Sequence, residues 1–268
     1  MIETPRIRAR PAAPVILAAA LIAAITMPAF AIDDRADVEP NDVPPAHRAF
    51  AWKATLGHYA SRDGLTANDV NLRASDDDDT VWVGYYRERG GAFDQWRAGW
   101  EHQLKLPHGR LVPSAQLASG GFVGGSVTWV AYPGDDDRIY GLFGLGRTNT
   151  RPYFNLNFDP NDSTLFGLGW KPREGVLLSA WQVRDDRLGT GQRVTHAVLV
   201  TGLAGVDRFA VDLFRRSGRA DPTQPEAAAG NGVALTWDHR GVFVRVARDA
   251  NWDFAGGTMT RIALGLRL

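Results

Sequence analysis

The sequence predicts an all-β fold, a transmembrane antiparallel up-and-down β-barrel of about fourteen strands that follows a cleaved signal peptide. Three observations predict it. The chain opens with a basic segment, which is followed by an apolar run and then by small residues. The remainder divides into short stretches in which polar and apolar residues alternate. These stretches are about ten residues long, which is the length with which a tilted strand crosses a bilayer.

The first segment has the order of a secretory signal. Arg6, Arg8 and Arg10 precede an apolar run from Val15 to Met27, and Ala29-Phe30-Ala31 ends it. The run is shorter than the ~20 apolar residues of a spanning helix, which disfavours the alternative of an N-terminal membrane anchor. We therefore expect residues 1–31 to be a signal peptide, residues 32–48, rich in Asp, Pro and Ala, to be a periplasmic lead-in, and residues 49–268 to be the barrel.

Composition excludes several classes of site. The chain has no cysteine, so it has no disulfide, no thiolate metal site, no cysteine nucleophile and no acceptor for a lipoprotein lipid. The 30 basic and 30 acidic residues balance, and nothing in this balance points to a nucleic-acid partner.

Alternation is clearest between Phe93 and Lys105. Trp96, Ala98 and Trp100 share one strand face, and Arg97, Glu101 and Lys105 share the other. The same split recurs at residues 208–216 and 260–268. A soluble β-sandwich also alternates, so the barrel interpretation depends as well on strand length, on the signal segment and on aromatic residues near strand ends. These aromatics are Trp82, Tyr85, Tyr86, Trp96, Trp170 and Trp237.

Counting the segments gives the strand number. Segments begin near residues 49, 68, 80, 93, 110, 123, 137, 162, 174, 192, 206, 231, 241 and 257. Bacterial single-chain barrels use an even number of strands, and taking Thr148–Ser163 as one long loop gives fourteen. Tyr153–Phe158 could instead form a strand, and the weak segment at 68 could be lost, so totals of twelve or sixteen strands remain open.

The predicted extracellular loops are Ser61–Ala67, Arg87–Ala92, Ser119–Phe122, Thr148–Ser163, Asp185–Gln192, Ser217–Gly230 and Asn251–Gly257.

The signal, the strand rhythm and the terminal strand Thr258 to Leu268 resemble those of porin-like bacterial outer-membrane β-barrel proteins, without identifying a subfamily. The resemblance implies a location in the bacterial outer membrane, contact with outer-membrane lipid and lipopolysaccharide, and insertion by the barrel-assembly machinery. Many members of this class end in an aromatic residue, whereas this chain ends in Leu268.

The polar strand faces predict the lining of the lumen, because ionisable side chains inside a barrel line water or pair with one another. The predicted lining residues are Arg97, Glu101, Lys105, Arg208, Asp212, Arg216, Asp238, Arg245, Arg261 and Arg267. We expect a porin-like channel or binding protein for small solutes, and the arginine excess favours anions. A closed structural barrel filled by salt bridges is the alternative use of the same residues.

One stretch offers ligands for a metal. Asn155, Asn157, Asp159, Asn161 and Asp162 supply oxygen atoms of the kind that calcium prefers, although their order departs from an EF-hand loop and the same residues form ordinary turns. Calcium is the cofactor that the sequence allows, and no other is indicated. The acidic run Asp76–Asp79 is interpreted as a solvated turn.

A lipid hydrolase or acyltransferase is the alternative class of function. Such an enzyme needs a nucleophile next to a base, and His58, His102 and His196 are candidate bases. No Gly-x-Ser-x-Gly element is present, and the sequence brings no serine beside any of these histidines. The catalytic residues of such an enzyme are therefore not identified.

Overall fold

The computed structural model describes residues 50–134, 137–154, 163–185, 189–203 and 207–268. The predicted signal peptide and lead-in lie outside these residues, and so do the five predicted calcium ligands Asn155, Asn157, Asp159, Asn161 and Asp162. Within the described ranges, no helix has the length and apolar character needed to cross a membrane.

The described residues form a single sheet of antiparallel strands. The strands are β1 (Ala51–Ser61), β2 (Thr66–Ser75), β3 (Asp79–Glu88), β4 (Asp94–His102), β5 (Leu104–Leu106), β6 (Gly109–Ala118), β7 (Phe122–Ala131) and β8 (Ile139–Thr148). The second half holds β9 (Ser163–Arg173), β10 (Val176–Asp185), β11 (Gln192–Leu203), β12 (Asp207–Gly218), β13 (Ala228–His239), β14 (Val242–Asp249) and β15 (Met259–Arg267).

The sheet closes on itself. Apart from β4 and β5, each strand pairs with its neighbour in sequence, and β1 pairs with β15, with Lys53 opposite Arg267 and Ser61 opposite Met259. The three-residue β5 continues β4 beyond Gln103, and both pair with β6, so the described wall counts fourteen strands. This confirms the predicted barrel and its strand number. The largest difference in a strand start is at β13, predicted near residue 231 and observed at Ala228.

The two ends of the barrel differ in their connections. At one end, which we call the turn end, β1 begins and β15 ends, and short turns join the strands. The two-residue turn of Arg240 (φ 49°) and Gly241 (φ 81°) is typical, because a tight hairpin turn of this kind requires a positive φ at both positions. The opposite end, the loop end, carries the longer connections 149–162, 219–227 and 250–258. Long extracellular loops and short periplasmic turns are the usual arrangement in outer-membrane barrels.

The outer surface is apolar. Leu145, Leu168 and Leu264 are exposed by 65%, 67% and 51%, respectively, as expected of side chains that face hydrocarbon. A ring of tryptophans surrounds the turn end, where their amphipathic rings suit a membrane interface. These residues are Trp52, Trp100, Trp129, Trp170 and Trp237. Two of the six aromatics expected near the interface, Trp82 and Tyr86, are instead buried inside the barrel.

Aromatic rings on the inner surface lie against glycines of the neighbouring strand. Trp82 covers Gly99, Tyr140 covers Gly169, Phe214 covers Gly232 and Phe243 covers Gly265. A Cβ atom at any of these glycines would overlap the ring, so the glycines let the rings lie flat on the wall. Cross-strand aromatic–glycine contacts of this kind also fix strand register.

Candidate functional site in the barrel interior

The inner wall has two halves of different chemistry. The apolar inner half, formed by β7–β11, presents mainly aliphatic and aromatic side chains to the interior, with few charged groups among them. Its buried residues are Val130, Tyr140, Leu142, Leu165, Leu177, Trp181, Val183, Val194, Val198 and Val200. The charged inner half, formed by β12–β15 and β1–β4, carries most of the ionisable side chains inside the barrel.

Two buried ion pairs belong to the charged inner half. Arg216 of β12 donates through Nε to Asp249 of β14 at 2.6 Å, and each side chain is 3% exposed. Arg97 of β4 pairs with Asp69 of β2, with side chains 4% and 3% exposed. Tyr59 donates its hydroxyl proton to the same aspartate at 3.2 Å. A pair of this kind must keep both partners, because either charge alone in a dry site is costly.

Where the two halves meet, His196 of β11 lies 3.0 Å and 3.1 Å from the two carboxylate oxygens of Asp212 through its Nδ1 atom. Its ring stacks on Trp181 with centroids 4.9 Å apart and planes inclined by 11°. The carboxylate and the indole thus hold this imidazole in a fixed orientation inside the barrel.

Arg245 of β14 is the most distinctive group of the charged inner half. Its side chain is 6% exposed, and its Nε has no hydrogen-bond partner among the described residues. Arg245 lies opposite Ala263, one inward position from Arg261 on the adjacent strand. Two buried guanidinium groups therefore lie close together, and a compact anion has the chemistry to bind between them.

A segment from the loop end folds into the barrel. Gln95 of β4 donates to the carbonyl of Pro152 at 2.9 Å and accepts from the backbone N–H of Phe154 at 2.9 Å. Arg97 donates to the carbonyl of Phe154 at 3.0 Å. The Phe154 ring stacks on Tyr86 at a centroid distance of 3.4 Å. This segment narrows the loop-end mouth beside the charged inner half.

A second aromatic enters from the 250–258 connection. Phe254 has a φ of 58° and is 6% exposed, and the guanidinium of Arg216 lies 5.8 Å from its ring centroid. Rings from two connections therefore cover the interior at the loop end.

The remaining predicted lining residues lie towards the turn end. Glu101 is 3.7 Å from Arg73, and Asp238 accepts from Arg267 Nε at 2.6 Å. Arg208 lies opposite Asp238 in the register of β12 and β13. Lys105 differs from the rest, because its side chain is 74% exposed and pairs with Asp78 of the adjoining turn at 3.0 Å. The structure thus brings nine predicted residues to the inner wall and leaves Lys105 at its rim.

Sequence reasoning missed several residues of this site. Asp69, Asp249 and Gln95 hold the predicted arginines or the inward segment, but none was among the predicted lining residues. Asp69 lies on the inward face of β2, where Asp69 and Asn71 alternate with outward Val70 and Leu72, so period two would also have placed Asp69 inside. Asp249 lies four residues after Arg245 and faces inward as Arg245 does. A strict period-two assignment extended along β14 would have found it.

The three candidate histidine bases are held by other groups. His58 lies 2.9 Å from Asn68 on the outer surface, and His102 lies 2.9 Å from Asp79 at the turn end. His196 is held by Asp212. Within the described residues, no hydrogen bond joins any of these histidines to a serine, and no group of three or more His, Cys, Asp and Glu side chains could hold a metal.

Comparison with known proteins identifies the fold. No protein-family model matches the chain, and no curated protein matches its sequence. The outer membrane protein Omp33 of Acinetobacter baumannii superposes with a TM-score of 0.52 at 7% identity, covering 82% of this chain and 98% of that one. The NanC porin (TM-score 0.43, 11% identity) and Salmonella typhi OmpF (0.45, 7%) each cover 82% of this chain, and 100% and 97% of their own chains. The likeness to Omp33 is in the fold, a porin-like outer-membrane β-barrel.

Proposed function

We propose that this chain is a porin-like channel of the bacterial outer membrane, inserted there by the barrel-assembly machinery, through which small solutes pass or in which they bind. The apolar outer surface, the ring of tryptophans at the turn end and the closed wall support a membrane location. A closed barrel exposes no sheet edge to lipid, as a membrane-spanning sheet requires.

The observation that carries the proposal is the charged inner half. Charged side chains inside a membrane barrel suit a hydrated path. Arg245 lies midway along β14, Arg261 lies one inward position from it towards the loop end, and Arg245 has no hydrogen-bonded partner at Nε among the described residues. A cation is repelled at this point and an anion is attracted, so the path should prefer small anions.

A closed structural barrel is the second candidate. It is favoured by the inward rings of Phe154 and Phe254 and by the burial of the ion pairs beneath them. The two candidates differ in one measurable property, because a closed barrel conducts no ions.

Planar-bilayer recording of the purified protein separates them. We expect steady conductance with anions preferred over cations, and we expect Arg245→Glu to weaken or reverse that preference, because the change replaces the buried positive charge with a negative one. The effect should shrink at high salt, where the screening length falls to ~3 Å at 1 M.

Arg248→Glu is the matched control. Arg248 is on the same strand three residues away, but it faces outward and is exposed, so ion preference should remain that of the wild type. Correctly folded protein that does not conduct would reject the channel and leave the structural barrel. Conductance that both variants alter equally would reject Arg245 as part of the path.

A further inference from the structure

Outward-facing arginines mark the loop end of the barrel. Six exposed arginines point away from the interior near the loop ends of their strands: Arg87, Arg147, Arg184, Arg193, Arg215 and Arg248. At the turn end, the corresponding belt holds tryptophans instead. The two membrane interfaces therefore meet surfaces of different chemistry, and the loop end is the one suited to anionic headgroups.

Three of these arginines form a cluster on adjacent strands. Arg184 of β10 lies directly opposite Arg193 of β11. Arg215 of β12 lies opposite Thr195, one outward position from Arg193. Like charges directly opposite each other on a sheet are destabilising, so this arrangement calls for a counter-charge.

Neutral groups hold the cluster in position. Arg184 donates through Nε to Gln182 at 2.5 Å, Arg193 through Nε to Ser217 at 2.9 Å, and Arg215 through Nη1 to Asn231 at 3.2 Å. Within the described part of the chain, none of the three forms a salt bridge with a carboxylate. The guanidinium groups are thus oriented by hydrogen bonds while their positive charges remain available to a ligand.

An apolar groove lies beneath the cluster on the same strands. It has a volume of about 680 Å³ and runs along the outward faces of β9–β12. Its floor is formed by the small side chains of Ala180 and Ala197, and its sides include Leu168, Leu178, Leu199 and Leu213. Ala197 follows Arg193 by four residues, which is about 13 Å along the strand. The groove therefore begins at the depth where the acyl chains of a lipid lie when its headgroup is at the arginines.

We propose that this surface of β9–β12 binds one phosphorylated lipid of the outer leaflet, such as the lipid anchor of lipopolysaccharide. Its phosphate accepts hydrogen bonds from Arg184, Arg193 and Arg215, and an acyl chain fills the groove over Ala180 and Ala197. Guanidinium groups suit this role because their planar donors match phosphate oxygens in pairs. The phosphate also supplies the counter-charge that the paired arginines require.

The test is a lipid titration of the purified barrel by native mass spectrometry, with diphosphorylated lipid A as the probe. The triple variant Arg184→Gln, Arg193→Gln, Arg215→Gln should weaken binding at least about tenfold, because it removes the three guanidinium groups that donate to the same phosphate. The double variant Arg87→Gln, Arg147→Gln removes outward arginines from β3 and β8 and should bind within about twofold of wild type. Heat-modifiable migration on a gel verifies that each variant is folded.

A groove variant separates a lipid from free phosphate. The double variant Ala180→Phe, Ala197→Phe fills the groove, so it should bind lipid A more weakly than the wild type. In a separate competition experiment, inorganic phosphate should displace little lipid A from the wild type. Unchanged lipid binding by the folded triple variant would overturn the proposal. A groove variant that retains lipid but changes the oligomeric state would assign the groove to a second copy of the chain instead. Neither result depends on conductance, so this test stands apart from that of the channel.

Discussion

The two halves of the inner wall differ in how their interiors are stabilised. In the apolar inner half, Trp181, Val183 and Val194 are 5%, 1% and 0% exposed and pack as in the core of a soluble protein. In the charged inner half, similarly buried positions hold Arg97, Arg216 and Asp249 in ion pairs. One closed sheet thus encloses two interiors, one stabilised by apolar packing and the other by ion pairs. The solute path proposed above belongs to the charged inner half.

The largest expected effect comes from placing a charge in the apolar inner half. Val183 is 1% exposed and lies opposite Val194 and Leu165 on its two neighbouring strands. Val183→Asp therefore buries a carboxylate among aliphatic side chains, and we expect a loss of more than about 4 kcal/mol, enough to prevent assembly. Ala247→Asp is its counterpart in the charged inner half, where the new carboxylate lies opposite Arg261. The yield of heat-modifiable barrel should fall strongly for the first and much less for the second. Similar yields would show that the two interiors do not differ as described.

This contrast also separates what the sequence predicts from what it does not. The strand number and the inward positions of Arg245, Arg261 and Arg267 follow from period-two alternation, because each opposes apolar neighbours on the outer face. The apolar inner half is less visible in the sequence. In β10, inward Leu177 and outward Leu178 are both apolar, so polarity does not separate the faces.

Pairing across strands is the other property that sequence alone leaves open. Arg216 and Asp249 are 33 positions apart and meet only because β12 and β14 flank β13 in a defined register. The sequence also leaves open the contact between Phe154 and Tyr86, because that contact depends on where a long loop turns. The predicted residues were therefore largely on the inner wall, while the partners of Arg97 and Arg216 were not foreseen.

A second prediction tests the stability of the charged inner half through its ion pairs. Asp249→Asn removes the buried carboxylate to which the Arg216 Nε donates and should lower the free energy of unfolding by about 3–5 kcal/mol. The double variant Arg216→Met with Asp249→Asn removes both charges and keeps an acceptor for the backbone N–H of Asn251, so it should lose much less. Urea unfolding in lipid vesicles measures both. Equal losses would indicate that the pair contributes no mutual stabilisation.

The smallest expected effect concerns an ion pair outside both inner halves. At the turn end, the Lys171 ammonium donates a hydrogen bond to Asp137 and holds the pKa of that carboxyl below its usual value of 3.8. A carboxyl whose pKa is lowered on folding stabilises the folded state above its unfolded pKa, and this contribution is lost as the pH falls below about 4. Because Asp137 is half exposed, we expect at most ~0.5 kcal/mol.

Unfolding measured at pH 6 and pH 3 in wild type and Lys171→Ala tests this pair. The difference between the two proteins should be small at pH 6 and smaller still at pH 3. A difference as large as that of Asp249→Asn would contradict the distinction between buried and exposed pairs.

The aromatic rings that lie over glycines have a consequence for the bore of the barrel. Phe243 and Phe214 project little into the interior because Gly265 and Gly232 leave room for them against the wall. A single methyl group at either glycine would tilt its ring towards the axis and reduce the cross-section without altering any charged residue of the inner wall. The calibre of such a barrel can therefore be set from its wall, one glycine at a time, independently of the charges that it carries.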